Sequence, residues 1–394
     1  MKRVLLSSLV VLLLVSASLA QQVTTTVTSG TGSPTQLQSN IGGISVGYVK
    51  VGSKEVGNIA WHPDFKVGPW GAGFDLNIPL GENKPLDYEN AVLRYVEYDD
   101  SKKGLRYGII DNLTWGHGML ISNYSTRLNN VDVLQHNDQL ALKGYVDMDS
   151  YVVRGLNTRS GILGVRVEER INPMLTLGQT YITDSDGVIP AGTTEAQKVS
   201  AIGLDASVPL PWNFEGFAEY ANLVGRGSGW GAGLSWGQDF MVASATFLAE
   251  YRFMDSNFVP GYFNSEYEYN PINLTSAEAT GNSKNGYVAQ LGLSALGLAN
   301  LNARYENYND SDTASVRADL FAKLPGEIEA TYYYSQPNFS NFRSLTLEQG
   351  AVIGGSLAYP VNPFTKVVAH FKKAYNSDTL QVEESQYYEL RLSF

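Results

Sequence analysis

Alternation of apolar and polar residues constrains this chain more than any other feature, and it continues from Ile41 to Phe394 with no linker or shift in composition. A β-strand directs successive side chains to opposite faces, so a period of two indicates strands with one apolar and one polar face. Eighteen segments have this pattern: 41–50, 67–79, 89–98, 105–113, 145–156, 161–170, 174–183, 199–209, 214–222, 229–237, 241–253, 285–295, 298–308, 314–323, 327–335, 349–359, 364–375 and 385–394. The sequence therefore predicts one all-β domain over residues 41–394.

The connections between these segments alternate between short and long from Arg170 onward. Short connections lie near 171–173, 209–211, 237–239, 296–297, 324–326 and 361–363, and long ones near 184–198, 223–228, 254–284, 309–313, 336–348 and 376–384. Transmembrane barrels have short turns at one end and longer loops at the other. The pattern predicts a transmembrane antiparallel up-and-down β-barrel of about 18 strands, with 16 as the nearest alternative.

The two faces of each predicted strand differ in polarity. In 161–170, Leu163 and Val165 alternate with Arg166 and Glu168. A soluble sandwich would show the same alternation, so we also consider the aromatic residues at strand ends, which in membrane barrels form girdles at the two interfaces. Residues at such positions are Trp236, Tyr308, Tyr334, Tyr359 and Tyr375.

The first forty residues carry a different signal. Lys2 and Arg3 precede an apolar stretch from Val4 to Val15, and Ser18-Leu19-Ala20 has the small-x-small form of a cleavage site. This pattern predicts a secretory signal peptide over residues 1–20, cleaved after Ala20. Residues 21–40 are rich in Thr, Ser, Gln and Gly, and we expect a flexible periplasmic segment there.

The last segment, Ser385 to Phe394, places Gln386, Tyr388, Leu390, Leu392 and Phe394 on one face. This resembles the terminal strand of bacterial outer-membrane β-barrels of the porin type, which ends in Phe with apolar residues at every second position. The resemblance covers most of the mature chain in pattern only. It implies an outer-membrane location, passive diffusion of ions and small polar solutes through a water-filled lumen, and assembly as a homotrimer in outer-membrane lipid.

Two segments are candidates for narrowing the lumen. Residues 114–138 interrupt the strand rhythm at a point where the predicted strand order calls for a short turn. They fold either into the lumen or into an extra wall hairpin, which would give twenty strands. Loop 254–284 is the longest predicted outer loop and is rich in aromatic residues, so it constricts the lumen or lies on the surface.

Charged residues on the predicted inner face are candidates to line the pore. The early strands contribute Arg94, Arg106, Arg154, Arg166 and Arg170, the middle strands Asp205, Glu215, Glu219 and Glu250, and the later strands Arg304, Arg317 and Asp319. Walls of opposite sign would set a field across a water-filled pore. The alternative is local ion pairing between neighbours.

Composition argues against several other functions. The chain has no Cys, which excludes a disulfide scaffold, and a net charge of -11, which argues against a nucleic-acid partner. None of the four histidines, His62, His117, His136 and His370, has a metal-ligand spacing, so we expect no cofactor and no enzyme activity. A barrel that anchors the envelope, and a lipid-handling transporter or enzyme barrel, stay open as alternatives; a serine near His370 would favour the latter.

Overall fold

The computed structural model describes residues 44–51, 54–61, 63–80, 91–126, 140–189, 193–265, 267–268, 272, 274, 283–309, 311, 314–340, 351–376 and 381–392. The predicted signal peptide over residues 1–20, the segment 21–40, Phe394, and residues 127–138 of the insert lie outside the described residues. Those predictions stay predictions.

The described residues form strands separated by turns and loops. The strands are β1 (Ile44–Val51), β2 (Lys54–Trp61), β3 (Asp64–Val67), β4 (Trp70–Leu80), β5 (Ala91–Asp99), β6 (Lys103–Gly108), β7 (Leu113–Trp115), β8 (Ile121–Tyr124), β9 (Ala141–Asp147), β10 (Tyr151–Thr158), β11 (Ile162–Asn172), β12 (Leu175–Val188), β13 (Gln197–Leu210), β14 (Phe214–Leu223), β15 (Gly227–Asp239), β16 (Ala243–Met254), β17 (Phe263–Asn264), β18 (Lys284–Ala295), β19 (Ala299–Tyr308), β20 (Ala314–Leu324), β21 (Ile328–Phe339), β22 (Val352–Asn362), β23 (Thr365–Asn376) and β24 (Gln381–Leu392). A 3-10 turn spans Pro211–Asn213. Among the described residues, no helix is long and apolar enough to cross a membrane.

Strand pairing closes the main sheet into a ring. Each wall strand pairs antiparallel with the next, and β24 returns to β1 with Leu392 opposite Ile44 and Ser385 opposite Val51. β2 and β3 pair one after the other with β4, so they share one position in the wall. The 21-stranded sheet therefore forms a ring of twenty positions among the described residues. Closure leaves no unpaired edge, and it confirms the antiparallel up-and-down barrel.

The ring contains two strands more than the eighteen predicted segments. The first is β2, whose sequence Lys-Glu-Val-Gly-Asn-Ile-Ala-Trp alternates poorly. The second is β9, because the predicted segment 145–156 runs across a tight turn that joins β9 to β10. Asp149 has a φ of 64° in that turn, and its own residue type is one of the few that adopts this conformation readily.

The extra strand β2 reverses the direction of every strand from there to β9. The turn between β5 and β6 is short, and the connection from β6 to β9 lies at the opposite end of the barrel, with the long loops. Our expectation that the insert 114–138 replaces a short turn is therefore wrong. The insert belongs to the outer connection between β6 and β9, residues 109–140, at the same end as loop 254–284. From here on, the insert means this whole connection.

The outer face of the wall carries many exposed apolar side chains, which we call the apolar belt. Leu163 is 48% exposed and Leu204 is 51% exposed, whereas Arg166, on the inner face, is 4% exposed. Exposed aliphatic side chains in such a continuous band are stable in hydrocarbon and unfavourable in water. One of the expected girdle aromatics, Tyr308, points inward and accepts a hydrogen bond from Arg252. Tyr334 lies on the outer face opposite Ala318, and its hydroxyl donates a hydrogen bond to Gln336.

The main apolar core lies inside the barrel, where two outer connections fold against the wall. The insert contributes β7 and β8, and the loop after β16 contributes β17, which pairs parallel with β8. Their buried side chains include Met119, Leu120, Phe258 and Phe263. Burying each such side chain stabilises the arrangement by roughly 1.5–3 kcal/mol. The sequence left open which of the two segments enters the lumen, and the described parts of both do.

Candidate functional site

A cavity of about 650 Å³ lies on the inner side of the wall between β5 and β14. The insert roofs it with Leu113 to His117, and charged side chains form its sides. These are Glu97, Asp99, Arg106, Lys143, Arg154, Arg166, Glu168, Asp205 and Glu215. We call this space the wide cavity. A volume this large holds many water molecules.

One buried carboxylate fastens the roof to the wall. Glu219 on β14 accepts hydrogen bonds from the backbone N–H of His117 at 2.9 Å and of Met119 at 3.3 Å. Gly116 has a φ of 62°, and a Cβ there would lie 2.8 Å from Glu219 Oε1. Glycine at this position therefore serves both the turn and the close approach of the carboxylate.

The imidazole of His117 packs against the wall beside this attachment. Its ring stacks on Phe217, with centroids 3.7 Å apart and an interplanar angle of 11°. Burial lowers the pKa of His117 to about 4, against the opposing effect of Asp205. The imidazole is therefore neutral at physiological pH, which suits an aromatic stack in a partly dry position.

The early arginines are all engaged by carboxylates. Arg94 lies 2.9 Å from Asp64 and 3.4 Å from Asp75, and Arg106 lies 2.9 Å from Glu97. Arg154 lies 3.2 Å from Glu168. Arg170 lies 2.9 Å from Asp147, at the short-turn end of the barrel. Each ion pair cancels most of the field of its arginine beyond the immediate neighbourhood.

Arg166 joins the early and middle groups of charges. Its two terminal nitrogens donate to Asp205 at 2.6 and 2.9 Å, and its Nε donates to Glu168 at 2.8 Å. In the middle strands, Glu250 pairs with Arg252 at 2.7 Å in a fully buried position. The structure thus brings the two signs into direct contact at these residues, as the local-pairing alternative describes.

Sequence reasoning missed the carboxylates and the cations that neutralise these candidates, among them Asp64, Glu97, Glu168 and Arg252. A usable signal was present. Opposite charges occur two residues apart on one strand, hence on one face, at Arg166/Glu168, Glu250/Arg252, Arg304/Glu306 and Arg317/Asp319, and each pair is an ion pair in the structure.

A second cavity, of about 40 Å³, lies between the tip of the insert and the wall formed by β18, β19 and β20. Asn123 contributes from the insert, and Gln290, Asn302, Arg304, Arg317 and Asp319 contribute from the wall. We call this space the narrow gap. Asn123 has a φ of 53°, and its backbone N–H donates to Thr114 Oγ1 at 2.9 Å, which fixes the tip.

Hydrogen bonds attach the loop after β16 to the wall and to the insert. Glu268 accepts hydrogen bonds from Tyr124 of the insert and from Ser160 at 2.9 Å, and burial raises the pKa of Glu268. Tyr267 donates to Asp184 at 2.7 Å, and Gln197 donates to Tyr262 at 2.6 Å. These bonds give partners to several polar groups that the two loops bring inside the barrel.

The chain is similar to several solved structures at low sequence identity. The chain is similar to OccK11 (OpdR) of Pseudomonas aeruginosa, with 12% identity over 89% of this chain and 94% of that chain and a TM-score of 0.40. It is also similar to a BenF-like porin of Pseudomonas fluorescens Pf-5, with 10% identity over 89% and 97% of the two chains and a TM-score of 0.40. The barrel assignment itself rests on the strand pairing described above.

A third similar structure is OccK2 (OpdF) of Pseudomonas aeruginosa in complex with glucuronate, with 11% identity over 90% of this chain and 96% of that chain and a TM-score of 0.40. No protein-family model matches the chain, and no curated protein matches it.

Two further sets of residues bear on the alternative functions. Within the described ranges, no group of three or more His, Asp or Glu residues is arranged to hold a metal ion. His370 on β23 lies opposite Ser356 on β22, and the hydroxyl of Ser356 is hydrogen-bonded with that of Thr331 at 2.7 Å. Ser356 is therefore a serine near His370, as the lipid-handling alternative requires. Its hydroxyl is hydrogen-bonded with Thr331.

Proposed function

We propose that this protein is an outer-membrane porin that allows passive diffusion of ions and small polar solutes through a water-filled channel. The observation that carries the proposal is a closed barrel whose outer face is apolar and whose interior holds a wide, charge-lined cavity of about 650 Å³. A barrel of this size encloses an aqueous lumen unless it is filled. The two inward-folded loops leave the wide cavity and the narrow gap unfilled.

Each part of the molecule has its own role in this function. The apolar belt contacts outer-membrane lipid, and the candidate pore-lining residues that border the two cavities contact the solute. Arg94, Arg170, Glu219 and Glu250 instead hold the wall and the insert together. We assign no catalytic residue, cofactor or metal to this function. The homotrimer is part of the proposal, and the mass of the detergent-solubilised protein in light scattering tests it.

The absence of cysteine allows a direct experiment with single-cysteine variants in planar bilayers. Ser207 borders the wide cavity, and Leu204 lies on the outer face of the same strand, β13. We expect stable current steps from the wild type and from both Ser207→Cys and Leu204→Cys. A negatively charged, water-soluble thiol reagent should change the conductance of Ser207→Cys within seconds and leave that of Leu204→Cys unchanged.

Other outcomes identify the alternatives. Silence from wild-type protein that is folded and inserted, as shown by its β-type circular dichroism and flotation with vesicles, would refute the porin proposal. It would favour an envelope-anchoring barrel, or a lipid-handling one if the protein then transfers or cleaves phospholipid. Equal modification effects at both cysteines would contradict the assignment of inner and outer faces.

A further inference from the structure

The narrow gap differs from the wide cavity in size by an order of magnitude. Its volume of about 40 Å³ compares with about 650 Å³ on the other side of the insert. One water-sized probe sphere occupies roughly 10–15 Å³, so the gap has room for about three water molecules. An ion in such a space contacts the lining atoms directly, and its interaction with their charges is screened less than in the wide cavity.

The wall side of the gap carries an arrangement of like charges that costs stability. Arg304 on β19 and Arg317 on β20 are direct cross-strand partners on the inner face. Like charges directly opposite each other in a sheet are destabilising. Their acidic partners are placed to the sides: Glu306 pairs with Arg304, and Asp319 lies 3.8 Å from Arg317.

The charged side chains that border the narrow gap have a positive sum. Its lining contains two guanidinium groups and one carboxylate, with uncharged Asn123, Gln290 and Asn302 completing it. The side chain of Arg317 is 43% exposed, and its contact with Asp319 is the longest of the arginine ion pairs on the inner face. By contrast, Arg166 in the wide cavity is buried in a two-bond contact with Asp205.

We propose that the narrow gap between Asn123 and the Arg304–Arg317 pair is the ion-selecting aperture of the channel, and that it favours small anions. This inference rests on the proposed porin function. Selectivity is set there because the space is small and its lining has two guanidinium groups against one carboxylate, although the chain as a whole has a net charge of -11.

The test is the reversal potential of single channels in a gradient of potassium chloride. Wild-type protein should give the sign of an anion-selective pore. Arg317→Gln and Asn123→Asp each make the aperture more negative by one unit, and each should lower the chloride-to-potassium permeability ratio. The expected decrease is at least about threefold, the value that Coulomb's law gives for one unit charge roughly 6 Å away in water.

Matched controls separate selectivity from folding. Arg317→Lys keeps the charge and should keep the wild-type ratio. Asn112 shares with Asn123 the insert and a positive φ, 55° against 53°, and it does not border the narrow gap. Asn112→Asp should therefore leave the ratio unchanged.

The possible results distinguish a failure of the aperture from a failure of the porin function. Current steps with cation selectivity in the wild type, or an unchanged ratio in both Arg317→Gln and Asn123→Asp, would overturn the aperture and leave the porin function in place. Equal decreases in Asn112→Asp and Asn123→Asp would also overturn it, because the effect would then be general to the insert. No steps from inserted wild-type protein would overturn the porin function and the inference together.

Discussion

Single side chains determine how the interior is held together, and Glu219 is the clearest case. Its carboxylate is 5% exposed and accepts two backbone N–H groups from a loop about one hundred residues earlier in the chain. Leaving a buried backbone N–H without its acceptor costs about 1–3 kcal/mol. A single residue on the wall can therefore decide whether the roof of the wide cavity stays in place.

We predict that Glu219→Gln loosens the roof. The amide offers one acceptor and turns a donor toward a backbone N–H, so at least one of the two bonds is lost. Hydrogen exchange at the amides of His117 and Met119 should accelerate about 10- to 100-fold, which corresponds to the loss of one such bond.

The control for this variant is Glu215→Gln. Glu215 lies on the same face of β14 and borders the wide cavity, and it makes no hydrogen bond to the described part of the insert. Its replacement should leave exchange at both amides unchanged. Equal acceleration in the two variants would show that the net charge of the wall, rather than the attachment, controls the roof.

At the scale of elements, the barrel interior is a small domain built from two loops. β17 pairs with β8, and the backbone N–H groups of Gly261 and Phe263 donate to the carbonyls of Met119 and Leu120 at 2.8 and 3.1 Å. The aromatic rings of Tyr262, Phe263 and Tyr267 pack at centroid distances of 4.8 to 5.3 Å. Each loop buries its apolar side chains against the other loop and against wall residues such as Ile182 and Leu223.

We predict that Phe263→Ala detaches this loop and leaves the barrel intact. Truncating a buried Phe costs about 3–5 kcal/mol, which exceeds what the remaining contacts of one short strand can offset. Amide exchange at Gly261 and position 263 should accelerate, while amides of the wall strands keep their protection. Phe247→Ala, on the outer face of β16, should leave the loop amides unchanged; an effect there equal to that of Phe263→Ala would contradict the prediction.

At the scale of the whole molecule, closure between β1 and β24 makes every wall strand internal to the sheet. The twenty positions alternate in direction, so an even number brings the two ends of the wall to the same side of the barrel. Since successive residues face opposite ways, neighbours in the sequence meet entirely different surroundings.

Gln290 and Leu291 are neighbours on β18, and they allow the difference between the inner and the outer face of the wall to be measured in lipid. Gln290 borders the narrow gap, and Leu291 lies on the outer belt. We predict that Leu291→Arg lowers the free energy of unfolding from lipid vesicles by about 2–4 kcal/mol, the cost of an arginine near the centre of a bilayer. Gln290→Arg should change it by far less. Urea titration of the inserted protein measures both, and equal costs would argue against a membrane-embedded outer face.

Much of the fold follows from the sequence alone, because the information is local. A period of two within ten residues determines which side chains share a face, as Leu163 and Arg166 show, and the sequence of short and long connections determines the up-and-down order. The number of strands follows less well. Weak alternation in Lys54–Trp61 concealed β2, and that one omission also placed the insert at the wrong end of the barrel.

The site depended on contacts that no local pattern specifies. Arg304 and Arg317 are thirteen residues apart, and only the pairing register of β19 and β20 makes them direct neighbours. Asn123 meets them because a loop about 180 residues earlier crosses the lumen. Local sequence determined the faces, since backbone geometry fixes where adjacent side chains point. Tertiary structure decided which charges are paired, which loops fill the interior and which residues border the narrow gap, since those depend on long-range packing.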